Sequence, residues 1–206
     1  MAHAYRIRNA MADDMPAILG LIREAASWLQ QSKNTDQWAR PWPDEESRDA
    51  RVTQGIKDGL TWIVEDEGTL AGTITCRERG SDRLWTPAEL SETAVYVSRL
   101  IACRAQAGMG LGAALIDWAG ARGQHAWDAD WIRVDVWTTN LALHDYYKSQ
   151  GFEHLRTLEF HNPWDYPSAA LFQKPTVEID AAAAARFTGT DSGLPEWPEF
   201  KRRLHD

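Results

Sequence analysis

Apolar and polar residues alternate in "AYRIRNA" at the start of the chain, the period of a half-buried strand. Past Asp13 and Asp14 the period changes. Ile18, Leu21, Ile22, Ala25 and Leu29 recur at helical spacing in "MPAILGLIREAASWLQQ", which predicts an amphipathic helix with acidic residues at its start. "KNTDQWARPWPDEES" is a polar loop with two prolines, Trp38 and Trp42, and residues 46–58 read as a weaker helix ending near Gly59. "TWIVEDEGTLAGTITCRERG" predicts a β-hairpin whose acidic turn ends in Gly68. "SDRLWTPAELSE" reads as loop. "TAVYVSRLIA" is rich in β-branched and aromatic residues and predicts a buried strand.

A glycine turn, "RAQAGMGLGAALIDWA", comes next, with a helix from about Gly112 to Arg122 whose Leu111, Leu115, Trp118 and Ala119 share one face. "WIRVDVWTT" predicts another strand. In "NLALHDYYKSQG" an Asn at the start and a Gly at the end mark the two caps of a short helix. "FEHLRTLEFHN" and "SAALFQK" read as two closing strands. The order mixes an antiparallel hairpin with crossover helices, so the fold class is α/β or α+β around one mixed sheet. After Pro175 an alanine run, Gly/Pro/Ser breakers and a basic patch at 201–203 set in. The chain therefore reads as one domain over 1–174 and an extension over 175–206, partly helical or irregular and docked through Trp197 and Phe200. That extension could close a pocket or pair with a second copy in a homodimer.

The length of 206 residues suffices for one domain with a sizeable core. A net charge of −8 argues against nucleic acid and anionic membrane as partners and weakly favours cationic small molecules. Cys76 and Cys103 form no CxxC pair, as expected of a reducing compartment. No apolar run reaches the roughly 18–20 residues of a membrane span, and "MAHAYRIRNA" has no signal-peptide core, so the cytoplasm is the expected location. The six histidines show no H-x-x-x-H or HExxH spacing, and no metal is implied.

Glycines at 108, 110 and 112, directly before a helix, suit a pyrophosphate: the backbone can approach the oxygens, and the helix adds its unpaired N–H groups. One owner of that phosphate is a dinucleotide. Gly108, Gly110 and Ala113 satisfy the loose G-x-G-x-x-G/A pattern, with Asp128, Asp130 or Asp135 as the ribose-binding acid. Yet the five residues Cys103 to Ala107 separate the strand from Gly108, where a dinucleotide turn follows its strand at once. The longer stretch "LIACRAQAGMGLGAALIDWA" resembles motif A of the GNAT superfamily of acetyl-CoA-dependent N-acyltransferases, a strand end leading to Arg/Gln-x-x-Gly-x-Gly/Ala and a helix. Leu100, Ile101 and Ala102 fall on the strand end, Ala107 on the Arg/Gln position, and Gly110 and Gly112 on the two glycines. "NLALHDYYKSQGF" resembles motif B through Asn140, Tyr147, Gly151 and Phe152. The resemblance covers roughly residues 4–174.

It implies a GNAT fold with a mixed sheet of about six to seven strands flanked by helices. It implies acetyl-CoA as co-substrate, held along Leu100, Ile101 and Ala102 and by Ala107, Gly108, Met109, Gly110, Leu111, Gly112 and Ala113, with Asn140 both an N-cap and a coenzyme contact. In this family the strand splays from its neighbour, so that Leu100 and Ala102 can pair with the pantetheine arm. Ala107 departs from the pattern and removes a charged or amide side chain from the pyrophosphate; Arg104 could supply charge from nearby. Tyr147 matches the family's general acid, a phenol of pKa about 10 that can protonate a leaving thiolate of pKa about 8.5. Glu92 and Tyr96 are the leading candidates for the base, with Asp135 a third. Trp28, Trp38, Trp42 and Trp85, with Asp44, Glu45 and Glu46 nearby, would suit a cationic amine. The expected function is acetyl transfer to a primary amine of a small molecule; a non-catalytic acyl-CoA-binding module and an NAD-dependent oxidoreductase are the alternatives.

Overall fold

The computed structural model describes residues 3–33, 35–159 and 167–189. Eight strands form one sheet: β1 (Tyr5–Asn9), β2 (Thr61–Asp66), β3 (Thr69–Arg77), β4 (Ala94–Ala102), β5 (Trp131–Val136), β6 (Glu153–Thr157), β7 (Ala170–Pro175) and β8 (Phe187–Thr188). The helices are α1 (Met15–Ser32), α2 (Glu45–Lys57), α3 (Pro87–Leu90), α4 (Leu111–Trp127), α5 (Leu141–Ser149) and α6 (Ala181–Ala184). In space the strands run β6-β7-β5-β4-β3-β2-β1-β8. The sheet is mixed as expected, with one strand more than the six to seven foreseen. That strand is β8, which pairs parallel with β1 through only Tyr5↔Phe187 and Arg6↔Thr188. It lies past Pro175, and Phe187 joins the main core. The docking of Trp197 and Phe200 lies outside the described residues.

Helices cover both faces. On one, the apolar stripe of α1 (Ile18, Leu21, Ile22) meets Val52 and Ile56 of α2 over Ile63 and Ile101. On the other, Leu111, Leu115 and Trp118 of α4 pack over Trp62, Val95, Ile132 and Phe172. Fully burying each such side chain contributes about 1.5–3 kcal/mol, so these two layers fix where the strand ends lie. The segment read as loop at 81–92 contains α3, closed by a capping box in which Thr86 N–H donates to Glu89 (2.8 Å) and Glu89 N–H to the Thr86 hydroxyl (3.3 Å). Among the described residues, no helix is long and apolar enough to cross a membrane.

One feature of the sheet creates a site. Strands β4 and β5 pair in parallel from Ala94↔Trp131 to Val97↔Val134 and no further. Beyond that point β5 stays with β7 as far as Val136↔Ala170, while β4 stays with β3 as far as Gly72↔Ala102. The register of β3 and β4 shifts between Thr73 and Thr75, where Arg99 adopts a left-handed φ of 48°. A bulge bends its strand, and here it turns the end of β4 away from β5. The sheet splits into a V at its centre.

Candidate active site

The open edge of β4 faces that gap. Cys103 N–H donates to the Ala71 carbonyl of β3 at 2.8 Å. Backbone groups alternate along a strand, so Ala102 and Leu100 direct theirs to the open side and Ile101 directs its own to β3. Ile101 buries its side chain on the α1 face, and Leu100 and Ala102 pack on the α4 face. The two backbone positions expected to meet an extended ligand are thus the two that the strand leaves unpaired.

The chain then turns through a short 3-10 segment, Arg104–Gln106, into the glycines. Gly108 and Gly110 have φ of 80° and 71°, a region open to glycine at little cost, and Gly110 caps α4. Ala114 N–H is the donor that bonds back to Gly110, at 3.0 Å. The N–H groups of Leu111, Gly112 and Ala113 are therefore the unpaired first turn of a helix, where the dipole favours an anion. Gly112 is needed for a different reason: a Cβ there would lie 2.9 Å from the Tyr146 hydroxyl and 3.8 Å from Leu100. The glycine turn, the end of β4 and helix α5 meet at this point. Ala107 and Met109 are exposed on the outside of the turn.

Two arginines lie near the turn. Arg104 is stacked on Trp28, 4.1 Å from the ring centre. Arg186, on the segment leading into β8, donates to the Met109 carbonyl at 3.3 Å. Its other guanidinium nitrogen lies 3.7 Å from where a Cβ on Gly110 would sit.

Helix α5 carries Asn140 and Tyr147. Asn140 is buried: its oxygen accepts from Leu143 N–H at 3.0 Å, and its amide donates to Gln37. Next to it, Asp36 accepts from the Trp137 indole at 2.8 Å and from the Thr139 hydroxyl. Those bonds hold the Asp36 carboxyl below the usual carboxylate range, with the Thr139 bond the largest cause. Asp36 and Gln37 thus clasp the α1–α2 loop to the turn between β5 and α5, a contact between segments about 100 residues apart that no local pattern announces.

Tyr147 is buried among the rings of Phe152 (5.2 Å between centres), Tyr146 (5.7 Å) and Phe172 (6.1 Å), yet it lines the cavity below the V. Burial raises its phenol above the ordinary value, with Tyr146 and Asp135 adding to the rise. Tyr146 is pushed up to about 12, mainly by burial and then by Asp117. Both phenols are full hydrogen-bond donors at neutral pH.

The cavity has a volume of about 670 Å³, within the usual range for small-molecule sites. Tyr96 and Asp135 line it together with Tyr147; Glu92 does not. Glu92 instead pairs with Arg133, a fully buried arginine that also donates to the Glu89 carbonyl and, at 3.2 Å, to the Tyr96 hydroxyl. Of the tryptophans expected around an acceptor, Trp38, Trp42 and Trp85 are in the wall and Trp28 is not. The acids expected beside them are elsewhere. Asp44 accepts from Ser47 N–H at 2.7 Å as the cap of α2, and Glu45 and Glu46 are exposed on its first turn.

The sequence model of the Acetyltransferase (GNAT) family matches residues 23–152, more than half of the chain and all of the V and its two helices. The chain belongs to the GNAT acetyltransferase family. A protein of Bacillus subtilis (strain 168) described as the uncharacterized N-acetyltransferase YesJ is 30% identical over 146 residues, which are 70% of this chain and 79% of that protein. Solved structures share the GNAT fold. A GNAT-family acetyltransferase from Listeria monocytogenes 4b F2365 superposes with a TM-score of 0.63 at 24% identity, over 83% of this chain and 94% of the other. PaiA N-acetyltransferase from Thermoplasma acidophilum, solved in complex with coenzyme A, gives 0.61 at 15% identity, over 84% and 99%. This GNAT protein is thus an acyltransferase, and the oxidoreductase reading of its glycine turn falls away.

Proposed function

We propose that this enzyme moves an acetyl group from acetyl-CoA to a primary amine of a small molecule by direct attack. The observation that carries the proposal is the V between β4 and β5. Its open edge leads at one end into the glycine turn and at the other into a cavity walled by Tyr147. The turn's N–H groups hold the pyrophosphate, and Leu100 and Ala102 hold the pantetheine arm. Arg186 supplies the cation that Ala107 does not.

Within the cavity, the acceptor ammonium gives a proton to Asp135, directly or through water. Its lone pair attacks the thioester carbon, and a backbone N–H of β4 stabilises the oxyanion. The C–S bond then breaks, the thiolate takes its proton from Tyr147, and the second proton leaving the amine nitrogen restores the phenol, so the amide departs neutral. Asp135 replaces Glu92 as the base because it lines the cavity, whereas Glu92 is held by Arg133 outside it. Burial that raises the Tyr147 phenol raises a thiolate in the same cleft as well, so the donor and acceptor stay matched.

The test is release of free thiol from acetyl-CoA across a panel of primary amines. Amine-dependent release, with the N-acetyl product found by mass spectrometry, supports the proposal. Tight binding of acetyl-CoA with no amine-dependent release would overturn it.

A further inference from the structure

The cavity below the V has a charge opposite to that of the chain. Arg23 on α1, Arg40 on the clasped loop, and Arg48 and Arg51 on α2 all line it. From the sheet side come Arg77, Arg79, Arg83 and Arg99. The whole protein carries a net charge of −8, yet among the described lining residues Asp135 is the one carboxylate facing these eight guanidiniums. Arg48 is neutralised by Asp49 at 2.7 Å and by Glu45 at 3.9 Å. The guanidiniums of Arg23, Arg79 and Arg83 have no hydrogen-bond or ion-pair partner among the described residues.

Two of the eight are held in place at the throat of the V. Arg77 donates to the Ser98 hydroxyl at 3.2 Å, and Arg99 to the Thr75 hydroxyl at 3.4 Å and to the Arg51 carbonyl at 3.5 Å. Their guanidiniums converge: each has a nitrogen close to the point where a Cβ on Gly55 would sit, at 3.8 Å for Arg77 and 3.3 Å for Arg99. Arg99 does this from a left-handed backbone, a conformation that needs support from its surroundings in a non-glycine residue. Two forked guanidinium donors brought together in this way fit a carboxylate or phosphoryl group. The glycine turn is not part of this lining, so the arginine wall is separate from the surface proposed above for the coenzyme's pyrophosphate.

On the amine-acetylation reading above, we propose that the acceptor is an anionic amine, a small molecule that bears a carboxylate or phosphoryl group besides its amino group. The arginines hold the anionic end. Asp135, on the Tyr147 side, draws the ammonium towards the thioester. The two charges of the substrate thus set its direction in the cavity, and Trp38, Trp42 and Trp85 cover the carbon chain between them. A polyamine would meet repulsion from the same wall.

Matched amine pairs test this, with acetyl-CoA as donor and thiol release as readout: an α-amino acid against its amide, and 2-aminoethylphosphonate against ethanolamine, with spermidine as the cationic control. The expected kcat/KM is at least about tenfold higher for the anionic member of a pair, the effect of one or two charge-assisted hydrogen bonds. Whichever anionic member is preferred separates carboxylate from phosphoryl recognition. Arg77→Gln and the exposed Arg79→Gln should each lower the anionic-to-neutral ratio, through KM. Melting temperature and coenzyme A affinity show that the variants are folded. Equal or better turnover of the neutral amine or spermidine, or a ratio unmoved in both variants, would overturn the proposal. If no amine releases thiol, the acetyltransferase reading falls, and calorimetry of ethylphosphonate on the coenzyme A-loaded protein still decides the cavity's preference. Binding that Arg77→Gln weakens at least about tenfold supports an anion site. Absence of heat in the wild type overturns it.

Discussion

Replacing Tyr147 by Phe removes one hydroxyl and leaves the ring. The ring's neighbours at 5.2 Å (Phe152), 5.7 Å (Tyr146) and 6.1 Å (Phe172) are unaffected, so folding stability should change by less than about 1 kcal/mol. The chemistry should not survive as well. A positioned proton donor contributes roughly 10²–10⁴-fold, or about 2.7–5.4 kcal/mol of barrier. Tyr147→Phe should therefore lower kcat at least about 100-fold, with coenzyme A affinity within about twofold of wild type. Burial raises the Tyr147 phenol, so the acid is spent only at a pH above the ordinary phenol value. Its loss should therefore not appear in the pH–rate profile below about pH 10. Tyr147→Ala makes a useful contrast, because emptying that ring position should cost about 3–5 kcal/mol of stability. Steady-state thiol release, calorimetry of coenzyme A and thermal melting together separate these effects. Wild-type kcat in Tyr147→Phe with a good acceptor would remove the residue from the mechanism.

Arg186→Gln should weaken coenzyme A binding roughly tenfold by calorimetry, the loss of one charge near a pyrophosphate, with kcat at saturation nearly unchanged. Asp36→Ala unfastens the loop that carries Trp38, Arg40 and Trp42; acceptor KM should rise roughly tenfold and proteolysis between 38 and 43 should quicken, while coenzyme affinity holds. Glu89 is held down to about 2 from 4.5, chiefly by Arg156, whose two nitrogens bond it at 2.6 and 2.7 Å. Because its folded value lies below its unfolded one, its contribution is complete above about pH 4.5 and fades as pH falls towards 2. Urea melts should lose about 1–2 kcal/mol across that window, a figure reduced for the pair's partial exposure, and Glu89→Gln should flatten that part of the curve.

The elements proposed to hold the coenzyme were legible because their signals are local. Alternation marked β1, β-branched and aromatic residues marked β4, Asn140 and Gly151 marked the ends of α5, and the glycines marked the turn into α4. "TPAE" at 86–89 is a capping box and could have shown α3, but a helix of four residues has too short an apolar face to stand out from a loop. The pairing of β8 through two residues leaves no period to read. The clasp by Asp36 and Gln37 joins distant segments, so spacing is silent about it. The acceptor site was the hardest to read. Net charge and the run Asp44–Glu46 suggested a cationic acceptor, yet Asp44 is engaged as a helix cap and the two glutamates face solvent. The arginines that line the cavity are scattered from Arg23 to Arg99 over two helices, two loops and two strands, and only the fold brings them together.

Two surfaces are proposed to take two different anions: the glycine turn the coenzyme's phosphates, the arginine wall the acceptor. A crystal structure of the enzyme with coenzyme A tests this most directly. The predicted result has pyrophosphate oxygens within hydrogen-bond distance of the N–H groups of residues 110–113. It has pantetheine paired with Leu100 and Ala102, the sulfur near the Tyr147 hydroxyl, and the arginine cavity free of the nucleotide. Coenzyme phosphates bound to Arg77 and Arg99, with the glycine turn bare, would contradict it.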